Sequence, residues 1–221
     1  MRDGGDIHIQ RWTSSGAGLP AHTRRRFTTE SSQTVTTRGA PDILVKQTLA
    51  FFCSIRCPGD VILKTYDLAR AFRKTDVTII GGFQTPMEKE CLALLLRGTA
   101  PVVICPARGL GRMRLRAEWK KPLAEGRLLL LSFFDDGIRR ATAELAAKRN
   151  EYVAALADSI LIAHAGKGSK TEGLCRDALA QDKPVFTLDS PDNAHLVALG
   201  AVSVRADDPR PLLAEATGHA G

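Results

Sequence analysis

Glycine, hydroxyl and lysine residues are concentrated in one short part of the sequence. In order, they are Gly166, Lys167, Gly168, Ser169, Lys170 and Thr171. Glycine lets a backbone approach a ligand closely, and the first amides of a helix are free to donate hydrogen bonds to an anion. Because an apolar run precedes this stretch and a helical pattern follows it, the stretch is predicted to bind a phosphate group.

Two other short segments contain residues suited to phosphate binding. Ser54 and Arg56 follow one apolar run, and Gly81 with Gly82 ends another. A serine hydroxyl can donate to a phosphate oxygen, and an arginine can donate through two N–H groups at once. Each segment alone would also suit an ordinary turn or helix cap. Two residues near the end of a predicted helix are interpreted as reaching the same ligand: Arg149 and Asn150.

Apolar runs of strand length alternate with amphipathic segments of helix length. Strands are predicted over 48–54, 77–81, 101–105, 127–132, 159–163 and 185–188, with an edge strand over 201–204. Helices are predicted over 60–74, 87–97, 114–124, 139–157, 171–181 and 193–199. This alternation predicts a doubly wound, Rossmann-like α/β fold with helices on both faces of a mostly parallel sheet of about six or seven strands. Since ligands bind at the carboxyl ends of such strands, the three polar loops should converge there.

Composition limits the kind of partner and the number of domains. We predict a flexible, polar and basic arm over 1–40, one folded domain over 41–205 and an irregular tail over 206–221. The formal net charge of +7 and the isoelectric point of about 9.4 favour a polyanionic partner. No apolar run is long enough to span a membrane, and no secretory signal is evident, so a cytoplasmic location is expected. The five scattered cysteines indicate reduced thiols and no metal site.

The order of these motifs resembles the DprA/Smf DNA-processing family, part of the wider SLOG group of Rossmann-like domains. The similar segments are 54–58 (Ser-x-Arg-x-Pro), 77–82 (strand and glycine turn), 100–110, 149–150 (Arg-Asn), 154–158, 166–171 and 185–188. The dinucleotide fingerprint of nicotinamide and flavin dehydrogenases does not follow the first predicted strand.

The resemblance implies a non-catalytic protein that binds single-stranded DNA and hands it to a RecA-type recombinase during transformation. It also implies a homodimer and no cofactor. The contacts implied by the resemblance are Ser54, Arg56, Arg149, Asn150, Lys167, Ser169 and Thr171.

Two alternatives remain open. The stretch from 166 to 172 also fits the Gly-x-Gly-[Ser/Thr]-x-x-Glu loop of the related LOG phosphoribohydrolases, which release the base from a nucleoside monophosphate. On that interpretation Arg149 and Glu172 form the catalytic pair, the carboxylate stabilising a ribosyl cation-like transition state. The second alternative is a nucleotide-sensing SLOG domain that binds a small nucleotide without cleaving it.

Overall fold

The computed structural model of the chain describes residues 9–13 and 34–213. Its strands are β1 (Ile9–Thr13), β2 (Thr34–Gly39), β3 (Thr48–Cys53), β4 (Thr78–Gly81), β5 (Val102–Ile104), β6 (Leu128–Ser132), β7 (Ser159–His164), β8 (Val185–Leu188) and β9 (Val202–Val204). Its α-helices are α1 (Gly59–Phe72), α2 (Pro86–Leu96), α3 (Ala117–Ala124), α4 (Ala143–Leu156), α5 (Lys170–Leu179), α6 (Ala194–Leu199) and α7 (Arg210–Leu213). Within the described ranges no helix has the length and apolar character needed to cross a membrane.

The described strands form one nine-stranded sheet in the order β1-β2-β6-β5-β4-β3-β7-β8-β9. The seven strands numbered β3 to β9 all pair in parallel with their neighbours among themselves. Strand β2 runs antiparallel to both β1 and β6. Successive strands β4, β5 and β6 extend the sheet on one side of β3, and β7, β8 and β9 extend it on the other. The winding therefore changes direction between β3 and β7, which is where a sheet of this kind binds ligands.

The central strand β3 contributes to a core on each face of the sheet. Leu49 and Phe51 point to one face, and Ala50 and Phe52 point to the other. Fully burying a Phe or Leu side chain stabilises a fold by about 1.5–3 kcal/mol. Helices α1, α2 and α3 cover the first face, and α4, α5 and α6 cover the second. The predicted doubly wound α/β fold is confirmed.

The amino-terminal segment is where the structure departs most from the sequence prediction. The segment predicted as a flexible arm supplies β1 and β2, so the sheet has nine strands rather than six or seven. In β2, Val35, Thr36 and Thr37 are buried. They do not form an apolar run because threonine is polar, although its β-branched side chain suits a strand. Residues 1–8 and 14–33 lie outside the described residues, and they include a short basic run predicted in the arm, from His22 to Arg26.

The carboxyl-terminal segment also differs from its prediction. An irregular tail is predicted over 206–221, but Arg210–Leu213 form the short helix α7. Leu212 of this helix is fully buried in the core on the α1 face of the sheet. The apolar residue thus extends the folded part at least to residue 213, and residues 214–221 lie outside the described part.

Two predicted helices begin later than expected, which lengthens the loops at the carboxyl ends of β5 and β6. Helix α4 begins at Ala143 rather than at 139, because the Thr142 hydroxyl accepts a hydrogen bond from the Leu145 amide and caps it. Helix α3 begins at Ala117 rather than at 114. Several arginines expected on helices therefore lie in loops on the same edge as the switch point.

Candidate functional site

Hydrogen bonds join the loops that follow β3 and β7 at the switch point. The Ser54 amide donates to the His164 carbonyl oxygen over 2.9 Å, and the Gly166 amide donates to Ser54 Oγ over 3.3 Å. Asn193 fixes the end of β7 by donating from Nδ2 to the Ala163 carbonyl oxygen over 2.8 Å. Its Oδ1 lies 2.8 Å from His164 Nδ1. The structure therefore brings Ser54 and Gly166, both predicted site residues, into direct contact.

Three cations lie in these two loops or at the start of the helix that follows, with their side chains in solvent. Arg56 follows β3, Lys167 follows β7, and Lys170 is the first residue of α5. Ile55 is 76% exposed, so the tip of the first loop does not pack into the core. Exposed cations next to a ligand-binding edge attract polyanions and can reach phosphate oxygens by side-chain rotation alone.

The loop between β7 and α5 is held in shape by its own polar groups. Ser169 Oγ accepts a hydrogen bond from the Glu172 amide over 3.2 Å and so caps α5. The Glu172 carboxylate accepts in turn from the Gly168 amide over 2.6 Å. Gly168 has a φ of +70°, which favours glycine at that position. The loop is therefore ordered before any ligand binds.

Not every amide of this loop is available to an anion. The sequence suggested a cradle of free N–H groups, but the Gly166 amide is bonded to Ser54 and the Gly168 amide to Glu172. The amides of Lys170 and Thr171 belong to the first turn of α5 and have no intrahelical acceptor. These two amides and the nearby hydroxyl groups can donate to an anion, in addition to the exposed cations.

A buried carboxylate connects the loop after β4 to the end of β3. Glu88 accepts hydrogen bonds from the Gln84 amide at 2.8 Å, the Thr85 amide at 3.2 Å and the Cys53 amide at 3.1 Å. Burial raises the pKa of Glu88, while these amides and the charge of Arg149 act in the opposite direction. Glu88 thus fixes the two loops relative to each other at the rim.

Arg149 is buried, which corrects the interpretation that it reaches over the rim to a ligand. The residue is 2% exposed. Its Nη1 donates to the Cys105 carbonyl oxygen over 2.7 Å, its Nη2 to Gln84 Oε1 over 3.3 Å, and its Nε to Asn150 Oδ1 over 2.7 Å. Burial lowers the pKa of Arg149, but arginine remains charged in proteins. Arg149 and Asn150 therefore position the loops after β4 and β5.

The glycine pair at the end of β4 is explained by the same guanidinium. Gly81 and Gly82 are both buried. A Cβ at Gly82 would lie 1.8 Å from Arg149 Nη1, and one at Gly81 would lie 3.1 Å from the Phe51 carbonyl oxygen. Gly82 is thus required by the packing of Arg149, whereas the sequence suggested that it leaves room for a ligand.

The proposed hydrolase pair has separate partners in the structure. Glu172 is bonded to the Gly168 amide, and its Oε1 lies 3.8 Å from Nε2 of His195. Arg149 is bonded to the loops after β4 and β5. The described contacts do not join Arg149 to Glu172, so the geometry does not assemble a base-releasing site from them.

Sequence reasoning missed three residues that shape the rim: Glu88, Gln84 and Asn193. Glu88 had a recognisable signal, because Thr85 and Glu88 form a capping box, in which Thr and Glu are three residues apart. Gln84 and Asn193 had no comparable signal, since their partners are brought close only by the fold.

The fold and the rim define a Rossmann-like domain with basic loops at its switch point. More specifically, the chain belongs to the DNA recombination-mediator protein A family, which matches residues 18–206. The family resemblance found in the sequence motifs is therefore confirmed. No curated protein matches the chain.

Three solved structures share this fold, two of DNA processing proteins and one of a cofactor-binding protein. DNA processing protein A from Helicobacter pylori, described for its unique single-stranded DNA binding mode, has a TM-score of 0.70 and 19% identity, with 94% of this chain and 95% of that chain covered. The Streptococcus pneumoniae protein has a TM-score of 0.68 and 16% identity, with 82% of this chain covered. This chain spans only 66% of the length of that one. A molybdenum cofactor binding protein from Rippkaea orientalis has a TM-score of 0.53 and 12% identity, covering 76% and 94% of the two chains.

Proposed function

We propose that this protein binds single-stranded DNA through its phosphate backbone at the carboxyl rim of the sheet and catalyses no reaction there. The contact between Ser54 and Gly166 at the switch point, with exposed Arg56, Lys167 and Lys170 in the same loops, carries this proposal. Membership of the recombination-mediator family and the DNA binding described for the Helicobacter pylori protein support DNA as the ligand.

The distribution of charge favours a strand with repeated phosphates over a single small anion. The cations lie in separate loops and are exposed, which suits successive phosphates along a flexible backbone. The formal charge of +7 adds long-range attraction for any polyanion. The residues proposed to contact the strand are Ser54, Arg56, Gly166, Lys167, Gly168, Ser169, Lys170 and Thr171. Four others, namely Gly81, Gly82, Arg149 and Asn150, are proposed to hold the neighbouring loops in place.

The biological partners are proposed from the family alone. A recombination mediator transfers its strand to a recombinase, so a RecA-type recombinase is the proposed acceptor during transformation. A homodimer and a cytoplasmic location are proposed on the same basis. Co-sedimentation with a recombinase would test the proposed partner, and sedimentation velocity of the protein alone would test the homodimer.

Removing one rim cation should weaken the binding of single-stranded DNA and reduce its dependence on salt. For single strands, the slope of log affinity against log salt falls by about 0.7 for each phosphate that the protein no longer neutralises. Arg56→Ala and Lys167→Ala should each flatten the slope by this amount in fluorescence anisotropy titrations. The control is Lys120→Ala, which removes the same charge from an exposed residue of α3.

Three results would contradict the proposal. Unchanged salt slopes for both rim variants, with Lys120→Ala also unchanged, would place the DNA elsewhere on the protein. Release of base from nucleoside monophosphates, abolished by Glu172→Ala, would instead establish the hydrolase. Tight binding of a mononucleotide with weak binding of single strands would favour the nucleotide-sensing domain.

A further inference from the structure

A groove between α2 and α3 opens beside the loop after β4 and is separate from the contact at the switch point. Its volume is about 630 Å³, which lies within the range of about 300–1,000 Å³ typical of ligand sites. Gly82 and Gln84 line the groove where it meets the rim. Leu92, Ile104 and Trp119 supply apolar and aromatic surface along it. The groove can therefore accept a flat, partly apolar group from a ligand that already lies on the rim.

The side chains that line this groove are strongly basic. Lys89, Arg108, Arg114 and Arg116 all contribute to its wall, whereas Glu118 is the one carboxylate among its lining residues. Glu118 lies 3.8 Å from Arg116 and balances part of that charge. Arg114 and Lys89 are exposed and face solvent at the groove. The remaining positive charge is suited to a phosphate.

Trp119 and Arg116 form a stacked pair in the wall of the groove. The Trp119 ring is 8% exposed, and its Nε1 is buried, so the indole N–H is not accessible from the groove. The Arg116 guanidinium lies over the Trp119 ring, 5.2 Å from its centroid. Because Arg116 is itself exposed, its guanidinium offers a flat, positively charged surface to a ligand.

We propose that this groove binds a nucleotide of the single strand beyond the part held at the switch point. Arg114 and Lys89 bind its phosphate, and its base stacks on the exposed Arg116 guanidinium that lies over Trp119. Arginine planes and aromatic rings commonly stack on unpaired bases. The identity of the ligand rests on the proposed function, because a free nucleotide offers the same phosphate and base.

Tryptophan fluorescence can report on this groove directly. The chain has two tryptophans, so Trp12→Phe leaves Trp119 as the single indole reporter. An oligonucleotide of about 15 nucleotides should change Trp119 emission, whereas one of about 4 nucleotides, enough for the rim alone, should not. An equal response to deoxynucleoside monophosphates at similar concentration would show that the groove binds free nucleotides, which overturns the proposal.

Affinity measurements separate the groove from the rim. Arg114→Ala should weaken binding of the long oligonucleotide about fivefold and flatten its salt slope by about 0.7, but leave binding of the short one unchanged. Lys120→Ala, the matched exposed cation outside the groove, should change neither. Suppose that Arg56→Ala weakens binding of both oligonucleotides, whereas Arg114→Ala leaves their affinities unchanged and Trp119 emission stays constant. The groove proposal is then wrong and the rim proposal stands. If Arg56→Ala has no effect on either, the rim proposal itself fails.

Discussion

Replacing Arg149 with leucine is expected to destabilise the protein by about 3–5 kcal/mol, the usual result of removing one partner from a buried ionic network. The substitution removes the donors to the Cys105 carbonyl oxygen, Gln84 and Asn150. It also leaves the buried Glu88 carboxylate without the positive charge that interacts with it. Equilibrium unfolding in urea, followed by circular dichroism, measures the change in the free energy of unfolding.

The matched control is Arg140→Leu, which makes the same replacement at an exposed arginine in the loop before α4. Its stability should remain within about 0.5 kcal/mol of the parent protein. Arg149→Lys should recover only part of the stability, because one ammonium group cannot reproduce the fork of a guanidinium. An Arg149→Leu protein as stable as the Arg140→Leu control would show that the guanidinium does not hold the loops together.

Replacing Gly82 with alanine is expected to destabilise the protein by about 3 kcal/mol, because the new methyl group overlaps a buried cation that cannot move freely. The added Cβ would lie 1.8 Å from Arg149 Nη1. Relief of the overlap requires the guanidinium to leave the Cys105 carbonyl oxygen. The same urea titration measures this effect.

A different glycine at the rim provides the comparison for this variant. A Cβ at Gly166 would have nothing within 4 Å, so Gly166→Ala should change stability little while weakening DNA binding. The Gly82→Ala substitution should also cost much less in an Arg149→Leu background, since the atoms that clash are gone. Additive destabilisation in the double variant would mean that Gly82 is needed for a reason other than Arg149.

Local sequence signals predicted the fold and the loop at the switch point well. The strand over 159–163 is observed as Ser159–His164, since an unbroken apolar run flanked by helix patterns identifies a central parallel strand. Ser169 fits a helix cap by its sequence position, and it caps α5. Strand β2 was missed because two of its three buried residues are threonines.

Contacts between distant parts of the chain could not be predicted in the same way. Two of the three acceptors of the Arg149 guanidinium lie 44 and 65 residues away in the sequence, at Cys105 and Gln84. An arginine near the end of an amphipathic helix is usually solvated, and only the fold shows that this one is buried. The role of Gly82 follows from the same contact and was equally hidden.

The most direct test of the account is to identify which backbone amides respond to single-stranded DNA by nuclear magnetic resonance. A uniformly ¹⁵N-labelled protein would be titrated with a short single strand at low salt. Binding of phosphate at the rim predicts the largest amide shifts at Ser54, Lys170 and Thr171, and these shifts should diminish as salt is added. Shifts confined to the opposite edge of the sheet, at residues such as Gln47 and Arg127, would contradict it.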